Sequence, residues 1–62
     1  MTYYIKDKTA NTGREYIDEN GYNCSLAENA ISFDTEEDAI NHCHAEHGET
    51  ALSDWAYIAK ED

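Results

Sequence analysis

This chain is poor in cations. Lys6, Lys8, Arg14 and Lys60 are its only lysines and arginines, and between Glu15 and Ala59 eleven carboxylates stand without one. Residues 1–14 sum to +2, residues 15–59 to −11 and residues 60–62 to −1, which gives the net −10. A compact domain cannot bury or pair that much charge internally, so it must form a negative field at the surface. Such a field repels nucleic acid and anionic membranes, and it attracts proteins with basic grooves.

Other absences narrow the class further. No run approaches the roughly 20 apolar residues that span a bilayer. There is no proline, no linker and no internal repeat, so residues 1–62 read as one domain. Three glycines, none in a phosphate-binding loop, and no nucleophile–base motif point to an interaction protein and away from an enzyme. The N-terminus, Met1-Thr2-Tyr3-Tyr4-Ile5-Lys6, reads as a strand and lacks the apolar region of a signal peptide. The two cysteines therefore read as reduced thiols, and the expected location is the cytoplasm.

What is present is enough for a small core. A chain of this length buries only roughly 60% of its unfolded surface, and self-repulsion subtracts from the gain. Salt, a homodimer interface or a basic partner would each relieve it. Hydrophobic residues make up 40% of the chain and are periodic, which separates it from disordered acidic tails.

Thr2 to Lys8 alternates as a strand, Thr9 to Gly13 suits a hairpin loop, and Arg14 to Glu19 is a second strand. Asn20-Gly21 predicts a two-residue type I′ turn, which sets Ile17 opposite Cys24 and puts Ile17, Tyr22, Cys24 and Leu26 on the core face. Ser25-Leu26-Ala27-Glu28 has capping-box form and allows a helical turn through Ala30. The main helix starts at an Asp34 or Thr35 cap and ends at Gly48, with Ala39, Ile40, Cys43 and His47 on one stripe. Residues 51–60 carry both helical spacing and strand composition, with a closing strand preferred. The fold expected is α+β: an antiparallel sheet of three or four strands with one main helix packed on it, in the order β-β-β-α-β. The expected core is Ile5, Ile17, Cys24, Leu26, Phe33, Ala39, Ile40, Cys43 and Ile58.

Partner binding is the chemistry these residues suit. Asp34, Glu36, Glu37 and Asp38 place about one charge per 1.5 Å of helix axis, comparable with the one per roughly 1.7 Å of duplex DNA, although they point in four directions around the helix and form no single row. The same carboxylates also complement the helix dipole. Glu15, Asp18, Glu19, Glu28, Glu46, Glu49 and Asp54 add charge from the other elements, and Tyr4, Tyr16 and Trp55 could supply contact area. A metal site would need Cys43 and His47, four residues apart, joined by Cys24 and by Glu36 or His44. No zinc-binding pattern supports it, and no cofactor is expected. A Cys24–Cys43 disulfide is the other reading of the thiols.

Leu26, Ala30, Phe33, Thr35 and Ala39, together with the preceding hairpin and a closing Trp55-Ala56-Tyr57-Ile58 strand, form a pattern that resembles small acidic phage-encoded inhibitor proteins, among them anti-CRISPR proteins that mimic DNA. The resemblance implies a stoichiometric inhibitor occupying the basic nucleic-acid-binding surface of a CRISPR effector, a restriction enzyme or a polymerase in the host cytoplasm. The alternative is an acidic interaction module or oligomer subunit with no nucleic-acid mimicry.

Overall fold

Strand β1 (Thr2–Asp7) organises the sheet, because all but one of the other strands pair with it. The structure is a computed structural model and describes residues 1–10 and 13–61. Strand β2 comprises Tyr16–Ile17, β3 Asn23–Cys24, β4 Ser32–Phe33 and β5 Ala56–Glu61. β5 runs antiparallel along one side of β1 for its whole length, from Thr2↔Glu61 to Asp7↔Ala56. The other side of β1 is shared: Lys6 pairs with Tyr16 of β2, while Tyr4 and Tyr3 pair with Ser32 and Phe33 of β4. β4 thus continues the line of β2. Residues 18–31 leave that line and rejoin it, and the Ile31 N–H donates to the Ile17 carbonyl at 3.2 Å across the neck. The excursion contains β3, paired to β2, and a 3₁₀ turn at Ala27–Asn29.

The main helix α1 (Glu36–His47) follows its sequence signals. The Thr35 hydroxyl accepts the Asp38 N–H at 3.1 Å, and three carboxylates occupy the first turn. Gly48 ends the helix at φ 93°, a left-handed conformation that favours glycine, and its N–H bonds the His44 carbonyl at 3.0 Å. Ala39 and Cys43, four residues apart, are the buried side chains of α1. Their small size lets the helix lie close to β1, β4 and β5. A short helix α2 (Ala51–Asp54) follows, and β5 begins two residues later. Both signals in residues 51–60 are therefore realised, one after the other.

The antiparallel sheet with one main helix is the expected α+β fold, with β4 and α2 added and with β2 and β3 shorter than expected. The core consists of Ile5, Ile17, Ala39, Cys43, Ala51 and Ala56, with Phe33, Leu52, Trp55 and Ile58 packed against it. Part of the expected core is absent from it. Leu26 is 50% exposed and Tyr22 71% exposed, while Cys24 and Ile40 are half-buried.

For Tyr22, Cys24 and Leu26 the cause is the β2–β3 turn. Asp18, and not Glu19, closes it: the Asp18 N–H bonds the Tyr22 carbonyl at 2.9 Å and the Gly21 N–H bonds the Asp18 carbonyl at 3.0 Å. The Asp18 carboxylate also accepts the N–H groups of Asn20, at 2.9 Å, and Tyr22, at 3.0 Å. Of the turn residues only Gly21 has positive φ, at 86°. This is a type I turn followed by a left-handed glycine, with three residues in the loop where two were expected. The register becomes Tyr16↔Cys24 and Ile17↔Asn23, one residue from the predicted pairing, so β3 turns its other face to the core. The helical turn after β3 forms, but Leu26 occupies its cap position and makes no side-chain cap. Asn11 and Thr12 of the first hairpin loop lie outside the described residues.

Candidate interaction surfaces

Two surfaces leave the fold with distinct chemistry. The first is acidic. Glu19, Glu28, Asp34, Glu36, Glu37, Asp38, Glu46, Glu49 and Asp54 are all exposed. Among the described residues the one ion pair is Lys6–Glu61 at 2.7 Å, so none of these nine carboxylates is paired with a cation. Glu15 and Asp18 are half-buried and engaged locally. Glu15 accepts the Gly13 N–H at 3.1 Å and Asp18 holds the turn.

The turn and the 3₁₀ segment enclose a concavity of about 300 Å³ lined by Asp18, Glu19, Asn20, Glu28, Asn29 and Ile31 among others. Carboxylates and amide side chains dominate its rim, which suits a guanidinium or ammonium group. Ile31 on its wall lies three residues before Asp34, a span of at most about 11 Å of extended chain. The concavity and the acidic start of α1 therefore adjoin. The molecule measures 24 × 24 × 18 Å, about three Debye lengths across at 0.15 M salt, so a partner responds to this local band more than to the net charge.

The second surface is the face of the sheet away from α1. Strand pairing puts Thr2, Tyr4, Lys6, Tyr16, Cys24, Ser32, Tyr57, Ala59 and Glu61 on it. Tyr4 and Tyr16 meet edge to face at 5.4 Å. The Lys6 ammonium lies 4.5 Å from the Tyr16 ring centroid, and the Tyr16 hydroxyl donates to Glu61 at 2.5 Å. The bond to Glu61 raises the Lys6 pKa from its ordinary value, and the bonds from Lys6 and then Tyr16 lower that of Glu61. Hydrogen bonding to Glu61 also raises the Tyr16 phenol. Tyr4 and Tyr16 thus share the face away from the helix, held in a network whose other members, Lys6 and Glu61, carry no signal in the sequence. Their positions at opposite ends of the chain carry no local signal. Alternation along paired first and last strands was the only route to them.

The remaining candidates sit elsewhere. Trp55 is half-buried against the core, and its ring meets His47 edge-on at 5.2 Å, so it works as packing. His42 is half-buried with its ring 5.2 Å from Phe33. Cys24 shares the Tyr16 face while Cys43 is fully buried on the α1 side, and both are free thiols. The sheet separates Cys24 from the other residues of the zinc and disulfide readings, and among the described residues no three His, Cys, Asp or Glu side chains are grouped to hold a metal. Burial pushes up both thiol pKa values, and the Asp18 charge adds to the shift at Cys24. No described helix is long and apolar enough to cross a membrane. No protein-family model, no curated protein and no solved structure matches the chain.

Proposed function

We propose that this protein is a stoichiometric inhibitor that binds the basic nucleic-acid-binding surface of a partner and occludes it, in the manner of anti-CRISPR and other DNA-mimicking inhibitors. The observation that carries the reading is the set of nine exposed carboxylates without an ion-pair partner among the described residues. The band formed by Glu19, Glu28, Asp34, Glu36, Glu37 and Asp38 is the binding element. Its charges steer association with lysines and arginines, and the concavity beside Asp18 takes one cationic side chain. Partners of the right chemistry are a CRISPR effector, a restriction enzyme or a polymerase.

Competition with duplex DNA for each of these three partner classes tests the reading. Displacement of DNA should weaken steeply as salt rises. Replacing Glu36, Glu37 and Asp38 by Gln, Gln and Asn should weaken binding about tenfold or more while the fold persists. Loss of the helix-dipole contribution, about 0.3–1 kcal/mol per charge, requires melting curves beside the affinities. Binding that is indifferent both to salt and to the triple substitution would sink the proposal. Binding without displacement of nucleic acid would assign the chain to the acidic interaction modules instead.

A further inference from the structure

Among the described residues β5 pairs with β1 alone, which makes it an edge strand. The Lys8 N–H donates to the Trp55 carbonyl at 2.8 Å, and this fixes the alternation along the pair. Tyr57, Ala59 and Glu61 direct their backbone groups toward β1, while Ala56, Ile58 and Lys60 direct theirs outward. Ala56 is fully covered. Ile58 and Lys60 therefore present two donors and two acceptors on an edge that has neither proline nor a bulge to block pairing.

We propose that this edge pairs antiparallel with β5 of a second copy, about a two-fold axis at Ala59. Ile58 then exchanges both backbone hydrogen bonds with Lys60 of the second copy, and Lys60 with its Ile58, joining two five-stranded sheets into one. The side chains match in this register. On the tyrosine face Tyr57, 40% exposed, comes opposite Glu61 of the second copy, a carboxylate already oriented by Lys6 and Tyr16. On the other face the aliphatic stem of Lys60 covers the half-buried Ile58. At the axis two alanines meet without a clash.

Charge selects a second copy over a basic partner at this edge. Side chains of residues 1–10 sum to +1, from Lys6 and Lys8 against Asp7, and those of residues 55–61 to zero, from Lys60 against Glu61. Two copies thus meet where neither carries the negative excess, whereas a basic strand would meet Lys60. The pairing is independent of the inhibitor reading, and salt separates the two. Screening removes the repulsion between two chains of −10, so salt should strengthen self-association while it weakens binding to a basic partner.

Sedimentation across micromolar to millimolar protein, at low and high salt, should show a dimer favoured by both concentration and salt. Lys60→Pro removes an outward N–H and leaves the β1 ladder intact, and it should weaken the dimer about tenfold or more with an unchanged circular dichroism spectrum. Because Ala59 faces its own copy, Ala59→Cys in a Cys24→Ser background should oxidise readily to a disulfide-linked dimer, whereas Tyr57→Cys should not. A monomer at every concentration and salt would overturn the proposal. So would a dimer unaffected by Lys60→Pro, or one crosslinked equally well through position 57.

Discussion

Glu61 is a single carboxylate with influence well beyond its own strand. It takes an ammonium from β1 and a phenol from β2, and so ties three strands together on the face that no helix covers. Its side chain is 32% exposed and that of Lys6 16%, so the bonds are only partly shielded from water. Glu61→Gln should cost about 1 kcal/mol, or about 4–8 °C in Tm for a domain of this size. The pH dependence follows from the direction of its shift. The folded-state pKa of Glu61 lies below 4.5, so its stabilisation is complete above 4.5 and is lost as the pH falls through the lower folded value. The gap in Tm between wild type and variant should be constant from neutrality down to 4.5 and close below it. A gap that persists unchanged in strong acid would mean that the carboxylate charge is not what Gln removes.

Elements differ in how legible they are from sequence. α1 could be read because its signals are local: a Thr35 cap, acids in the first turn, an apolar pair four residues apart and Gly48 at the end. The β2–β3 turn departs from its sequence signal for an equally local reason. Asn20-Gly21 favours a two-residue loop, but the Asp18 side chain offers bonds to two turn amides that such a loop cannot use, and the chain takes them. That choice displaced Cys24, Leu26 and Tyr22 from the core. Ala51 and Ala56 took their place, residues whose burial depends on how closely α2 and β5 approach and not on their own hydrophobicity. Asp18→Ala should therefore cost about 1–2 kcal/mol and release the type I′ alternative. Cross-strand nuclear Overhauser contacts should then move from Tyr16–Cys24 to Ile17–Cys24. Contacts that stay on Tyr16 would show that something other than Asp18 sets the register.

At the scale of the molecule, charge sets the conditions under which the fold is most stable. Nine exposed carboxylates without an ion-pair partner among the described residues repel one another across a body no more than 24 Å wide. Sodium chloride should raise Tm at neutral pH, steeply up to physiological ionic strength and weakly beyond it as the screening length falls below the spacing of the charges. A Tm that falls or stays flat over that range would mean that repulsion is not a significant cost to this fold. The acidity was legible in the composition, but the way it divides was not. The sheet centre and its β5 edge are spared, and six of the nine exposed carboxylates gather on the excursion and at the start of α1. The geometry of that excursion makes it separable from the sheet. Ile17 and Ser32 occupy consecutive places opposite Ile5 and Tyr4, so a chain lacking residues 18–31 would read Tyr16-Ile17-Ser32-Phe33 as one uninterrupted strand with every side chain on its present face. Topologically the acidic concavity lies on an excursion from a strand line that is continuous without it, so its residues stand outside the register by which β1 pairs with the strands on either side.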